Sequence, residues 1–117
     1  MKKIAVALGV SALLLGPGFA LAKDSTYTGE IMDNQCAKVG SHEAMMKKAG
    51  LTSKADCAKA CVKMGGKYVL YHAATKAIYE LDDQSKLEEF AGKEVKVTGE
   101  LDKATHTIHV TGVKAAE

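Results

Sequence analysis

Three cysteines and one histidine lie in a short part of this sequence, and their chemistry is the clearest that the chain offers. Cys36, Cys57 and Cys61 are the only cysteines among 117 residues, and His42 lies between the first two. The spacing reads Cys-x5-His-x14-Cys-x3-Cys. Thiolate sulfur and imidazole nitrogen are common ligands of tetrahedral zinc, and thiolates also bind cuprous copper. The pattern therefore predicts a soft-metal site, for a zinc or copper ion, with Cys36, His42, Cys57 and Cys61 as ligands.

A structural disulfide is the alternative chemistry of the same residues. Cys57 and Cys61 are four residues apart, so on a helix they share one face with Cβ atoms about 5–6 Å apart. A disulfide requires Cβ atoms about 3.5–4.5 Å apart, and a bond between these two would strain the helix. Cys36 can instead pair with either one, which leaves one thiol over. The spacing leaves open whether the cysteines form a disulfide, a metal site or a thiol-redox centre, and which of them pairs with Cys36.

The first 22 residues have the pattern of a secretory signal. A basic start and an apolar run are followed by Ala20-Leu21-Ala22, which fits the site that signal peptidase cleaves. We therefore predict a signal peptide over residues 1–22 and a single domain over residues 23–117, in the periplasm or secreted. An exported protein meets an oxidising environment, in which disulfide formation is ordinary.

Charge and residue types narrow the classes of partner. Without the two lysines of the signal, basic and acidic residues balance, and the chain contains no arginine. Arginine is the usual residue for bidentate recognition of phosphates and bases, so nucleic acid is disfavoured as a partner. We expect no membrane association after signal cleavage. Because no catalytic triad or phosphate-binding glycine loop is visible, we predict a non-enzymatic protein that binds a metal ion or another small ligand.

Five strands and three helices are predicted to position these residues. Alternating apolar and polar residues predict strands over 26–32, 67–72, 76–81, 93–101 and 106–113. Capping patterns predict helices over 42–49, 53–64 and 85–92. This order predicts a mainly β fold with short helices, a five-stranded OB-like Greek-key barrel with a two-helix insertion between strands 1 and 2. An open five-stranded sheet with helices on one face is the alternative.

The fourth strand has the clearest alternation in the chain. It predicts that Val95 and Val97 face the core, whereas Lys96 and Thr98 face solvent. This alternation fixes the register of the strand, because a slip of one residue would move every side chain to the other face.

Two segments carry a resemblance to a known group of proteins. The first is Asp33-x-x-Cys36 with His42 and the run over residues 57–70, and the second covers residues 90–99. In these segments the chain resembles small exported bacterial proteins of unassigned activity, and it is similar to bacterial periplasmic OB-fold proteins. The resemblance implies the OB fold, and it points to the cysteine and histidine positions as a site.

Two other functions compete with metal binding. One is a general OB module that binds an oligosaccharide or a peptide, for which Tyr68, Tyr71 and Tyr79 are candidate stacking residues. The same tyrosines also suit the core of a small barrel. The other is a thiol-redox protein. Metal content and the number of free thiols would separate these functions from the metal site.

Overall fold

The computed structural model describes residues 24–116, which form a mainly β fold with a few short helices. The strands are β1 (Ser25–Asp33), β2 (Tyr68–His72), β3 (Ala77–Leu81), β4 (Glu94–Asp102) and β5 (Thr107–Ala115). Three helices, α1 (Asn34–Val39), α2 (Glu43–Ala49) and α3 (Lys54–Lys63), connect β1 to β2. The prediction of a mainly β fold with five strands is confirmed, whereas the predicted signal peptide lies outside the described residues.

The five strands form one mixed sheet that closes on itself. Their order is β1-β2-β3-β5-β4, and β4 pairs back with β1. The pairing of β3 with β5 is parallel, and the other pairings of these strands are antiparallel. The first part of β1 pairs with β4, and its last residues, from Glu30 to Asp33, pair with β2. Pairing with β2 therefore fixes the end of β1, from which the first helix starts.

Strand β4 shows the predicted alternation. Val95 and Val97 are fully buried and Lys96 is exposed. Thr98 is half-buried rather than exposed. It lies beside a register shift between β4 and β5, and its carbonyl oxygen accepts a hydrogen bond from the hydroxyl of Thr111. The predicted register is therefore confirmed for the core face of β4.

Two apolar clusters lie on opposite faces of the sheet. Ile31 and Leu70 belong to the cluster that fills the ring, together with residues such as Val97. Their neighbours along the same strands, Met32 and Val69, belong to a second cluster that the helices cover. Successive side chains of a strand point to opposite faces, so β1 and β2 contribute to both clusters. The cysteines pack in the second cluster, outside the ring.

The helices between β1 and β2 number three rather than the predicted two. Residues 34–39 form α1, because the side chain of Asp33 caps its start and accepts hydrogen bonds from the backbone N–H groups of Gln35 and Cys36 at 3.1 and 3.0 Å. The prediction for α3 is confirmed at its start, where the hydroxyl of Ser53 accepts from the backbone N–H of Asp56.

The predicted helix over residues 85–92 is wrong. Two short 3-10 turns, Gln84–Lys86 and Glu88–Phe90, occupy this segment. The side chain of Gln84 bonds both backbone groups of Tyr68, which ties the turn to β2. Ser85, predicted as the cap, donates its hydroxyl to Asp83 instead. These contacts favour tight turns over a regular α-helix. No helix among residues 24–116 is both long and apolar enough to cross a membrane.

Candidate metal centre

Side chains from the end of β1, from α1 and from α3 meet in one group. Asp33, Cys36, Cys57 and Cys61 each offer one ligand atom, and these atoms lie within 4.8 Å of one another. Asp33 and Cys57 are fully buried, Cys36 is 3% exposed and Cys61 is half-buried. Three sulfur atoms and one carboxylate oxygen form a four-donor set of the kind that holds a tetrahedral ion. We call these four residues the Cys3Asp cluster.

Local helix geometry places the three thiols. Cys57 and Cys61 are separated by one turn of α3 and project from the same face. Cys36 lies in the first turn of α1, which follows β1 directly. Gly66 allows the end of α3 to approach α1, since a Cβ at this position would lie 3.0 Å from both the carbonyl oxygen of Cys61 and the side-chain oxygen of Asn34. A side chain at position 66 would therefore push the end of α3 away from the start of α1.

The carboxylate of Asp33 has two different oxygens. Its Oδ2 accepts the two backbone hydrogen bonds that cap α1. Its Oδ1 is buried and has no hydrogen-bonding partner among the described residues. Leaving a buried acceptor without a partner costs about 1–3 kcal/mol, and more when it is charged. A cation bound by the cluster would give this oxygen a partner.

Burial also controls the protonation of two thiols. It is the main reason that the pKa of Cys36 lies above the ordinary value for a thiol, and the adjacent Asp33 raises it further. Burial, and then the nearby Asp33 and Cys57, raise the pKa of Cys61 to about 11. Both thiols therefore keep their protons at neutral pH, and a metal ion must displace those protons in order to bind.

His42, which the Cys/His spacing predicts as the fourth ligand, is not part of the Cys3Asp cluster. It is 4% exposed, and its Nε2 lies 2.7 Å from Oε2 of Glu30. Its Nδ1 is buried without a partner in the part of the chain that the structure describes. Helix α1 and a left-handed turn at Gly40 (φ +88°) separate His42 from Cys36, so His42 contacts β1 rather than the thiols.

The fourth member of the group is Asp33, which the sequence analysis did not name as a ligand. Its signal in the sequence is the spacing Asp-x-x-Cys, which is typical of an N-cap three residues before a side chain in the first turn. A cap residue and the third residue after it lie close together, because the side chain of the cap folds back over the first turn. The predicted strand ends at residue 32 and the first predicted helix begins at residue 42, so this proximity was not evident from the sequence.

All three cysteines are free thiols in the structure. The sulfur atoms of Cys36, Cys57 and Cys61 nevertheless lie within 4.8 Å of one another. A pair of them needs only a limited movement to reach bonding distance, about 2.05 Å between sulfurs. The cluster therefore has the geometry for metal binding and for oxidation, which are alternative fates of the same sulfur atoms.

The three tyrosines considered for ligand stacking lie in different surroundings. Tyr68 and Tyr71 are buried, one in each apolar cluster. Tyr79 is half-buried, and its ring lies 5.3 Å from that of Tyr27 and 4.6 Å from that of His106. Tyr68 and Tyr71 therefore serve the core, which leaves Tyr79 as the accessible ring of the three.

Comparison with known proteins reaches part of the chain. Residues 62–116 match a family model described as a protein of unknown function, DUF5818. No curated protein and no solved structure matches the chain. The matched segment contains the last residues of α3 and strands β2 to β5. It begins one residue after Cys61, so it includes none of the four residues of the Cys3Asp cluster.

Proposed function

We propose that this protein is a non-enzymatic, exported, OB-like binding protein whose Cys3Asp cluster binds a soft metal ion, zinc or cuprous copper. The observation that carries the proposal is the meeting of three thiols and a carboxylate within 4.8 Å, with one buried carboxylate oxygen that lacks a partner. Thiolates are the ligands that zinc and cuprous copper prefer, and a carboxylate can complete a zinc site. The proposed partner is thus a metal ion, and neither nucleic acid nor a membrane.

The surroundings of the cluster support this assignment. The closed order β1-β2-β3-β5-β4 agrees with a five-stranded Greek-key OB arrangement, and the signal pattern in residues 1–22 supports export. Two sulfurs bound to a tetrahedral zinc at about 2.3 Å lie about 3.8 Å apart. The ligand atoms of the cluster lie within 4.8 Å, so a small inward movement suffices to bind the ion.

A metal at this place would join parts of the chain that are distant in sequence. Asp33 and Cys36 belong to the junction of β1 with α1, whereas Cys57 and Cys61 belong to α3. An ion held by both parts would fasten the helices to each other. Because the ligands come together only in the folded chain, the free energy of binding would appear as stability.

A disulfide is the second candidate, and the proximity of the three sulfurs favours it. Bond formation between Cys36 and either Cys57 or Cys61 would remove two thiolates from the cluster. The oxidised protein would then keep one free thiol, and it would lose the three-sulfur site. Metal binding and the disulfide therefore exclude each other in one molecule, and the redox state selects between them.

The test is a metal titration of the reduced protein with matched variants. Wild type should bind zinc and cuprous ion, and Cys36→Ser, Cys57→Ser and Cys61→Ser should each lower the zinc affinity at least about tenfold, as expected for a lost ligand. Competition with a chromophoric chelator measures these affinities. Failure of reduced wild type to bind either ion would refute the proposal.

The fourth ligand is tested by a pair of substitutions. We expect Asp33→Asn to weaken zinc binding, because the amide keeps the helix cap but loses the charged oxygen. We expect His42→Ala to bind zinc with the affinity of wild type, since His42 contacts Glu30 and not the thiols. The opposite pattern would restore His42 as the fourth ligand, as the sequence spacing predicted.

A further inference from the structure

Cys61 is the least buried thiol of the Cys3Asp cluster. Cys36 and Cys57 are buried, whereas Cys61 is half-buried. Cys61 lines two neighbouring surface cavities, with volumes of about 230 and 320 Å³. An ion in either cavity therefore lies beside Cys61, whose sulfur is within 4.8 Å of those of the two buried thiols.

Two methionines line both of these cavities. Met45 of α2 and Met64 at the end of α3 share each cavity with Cys61. Met64 is 84% exposed, so its thioether is available to an ion in solvent. The smaller cavity has no charged residue in its wall, whereas Lys48 lines the larger one and disfavours a cation there. The smaller cavity is therefore the better route.

The types of ligand along this route discriminate between metals. Thioether sulfur is a soft ligand that suits cuprous copper. Zinc sites in proteins are built from thiolate, imidazole and carboxylate, and a thioether offers zinc little. Two thioethers that share a cavity with a thiol thus favour copper in its +1 state over zinc.

We propose that the ion taken up by the Cys3Asp cluster is cuprous copper, and that Met45 and Met64 bind it first and pass it to Cys61. The inference rests on the proposed metal-binding function. The transfer is an exchange of ligands: a copper–thioether bond breaks, a copper–thiolate bond forms, and the proton of the Cys61 thiol leaves to solvent. Copper remains in the +1 state throughout, so no oxidant or reductant is required.

The experiment measures how fast the reduced full-length protein takes cuprous ion from its coloured bicinchoninate complex. The test variant combines Met45→Leu and Met64→Leu, which keep the size and apolar character of the side chains. We expect its copper uptake to be slower by about tenfold. This corresponds to an increase of about 1.4 kcal/mol in the activation free energy of uptake. The uptake of zinc from a zinc-sensitive dye should keep the wild-type rate.

Met46→Leu is the matched control. Met46 adjoins Met45 on α2, but it lines a different cavity, together with His42 and Glu30, to which Cys61 does not contribute. We expect this variant to take up copper as fast as wild type. A similar slowing in Met46→Leu would show a general effect of the helix and would overturn the inference.

The remaining outcomes separate this inference from the proposed function. If wild type binds copper and the double variant takes it up at the same rate, the methionine route is wrong, although the cluster still binds metal. Equal slowing of copper and zinc would mean that the substitutions only reshape the cavity, which also overturns the route. If wild type binds neither ion, both proposals fail together.

Discussion

The two faces of the sheet bury different kinds of side chain. Inside the ring, Ile31, Leu70 and Val97 pack as an apolar core. On the outer face, Met32 and Val69 pack with Cys36 and Cys57 beneath the helices. An apolar core needs only exclusion of water, whereas buried thiols and a buried carboxylate need partners. We therefore expect the stability of the helical face to depend more than that of the ring on what the buried polar atoms bind.

The largest expected effect is on the helical face. A zinc concentration about a thousandfold above the dissociation constant should raise the free energy of unfolding of the reduced protein by about 4 kcal/mol. Denaturant melts with and without zinc measure this difference. Cys57→Ser should lose most of the effect, because a ligand is missing. An equal gain in Cys57→Ser would mean that zinc binds elsewhere.

A smaller effect is expected inside the ring. Val97 is fully buried, so Val97→Ala should lower the free energy of unfolding by about 1–2 kcal/mol through lost burial and the remaining cavity. Thr98→Ala, at the next position, should change stability little. Because Val97 lies inside the ring and the proposed metal ligands lie outside it, the loss in Val97→Ala should be the same with and without zinc. A zinc-dependent loss would show that the two faces are coupled.

A still smaller loss of stability is expected at the cap of α3, the helix that carries two of the thiols. Ser53→Ala removes the hydroxyl that accepts from the backbone N–H of Asp56 and should cost about 1 kcal/mol. Because α3 carries Cys57 and Cys61, the same substitution should also weaken zinc binding. Ser85→Ala is the control, since the exposed Ser85 donates its hydroxyl only to the half-buried Asp83, and the substitution should change neither quantity. Denaturant melts and zinc titrations of both variants measure these changes. Equal changes in the two variants would contradict the prediction.

The smallest expected effect is on the pH dependence of the free energy of unfolding, to which Asp82 contributes. The backbone N–H of Val110 donates to Asp82, and this bond, with His109 nearby, holds the pKa of Asp82 below its usual range. A lowered pKa in the folded state means that the contribution is complete above the unfolded value of about 3.9 and is lost as the pH falls through the folded value. Asp82→Asn should therefore flatten the stability profile at acid pH. Parallel acid slopes in the two proteins would contradict this.

Zinc affinity should also increase with pH, but over the neutral range rather than at acid pH. The pKa values of Cys36 and Cys61 are raised, so zinc must displace protons over the whole neutral range. Affinity should therefore increase with pH through the neutral range and beyond it, because both thiols still carry protons there. Zinc titrations at several pH values measure the slope. A flat profile would indicate ligands that are already deprotonated.

Patterns among residues that are near in sequence were sufficient to predict most of the strands and helices. Alternation placed Val95 and Val97 in the core, and the pattern Ser53-x-x-Asp56 located the start of α3. Each of these depends on contacts between residues that are near in sequence, or on a period of two along one strand. The same reasoning failed over residues 85–92, where side-chain bonds from Gln84 to Tyr68 of the distant β2 favour 3-10 turns.

The sequence by itself determined which residue types are available for the site, namely three thiols. It also limited their chemistry mainly to metal binding or a disulfide. Only the tertiary structure decided that Asp33 stands with Cys36, Cys57 and Cys61 while His42 pairs with Glu30. The physical reason is that spacing along the chain fixes neighbours only within one helix or strand. Which helices meet depends on the closure of the sheet, which holds the end of β1 against β2, and on the approach of α3 to α1 at Gly66.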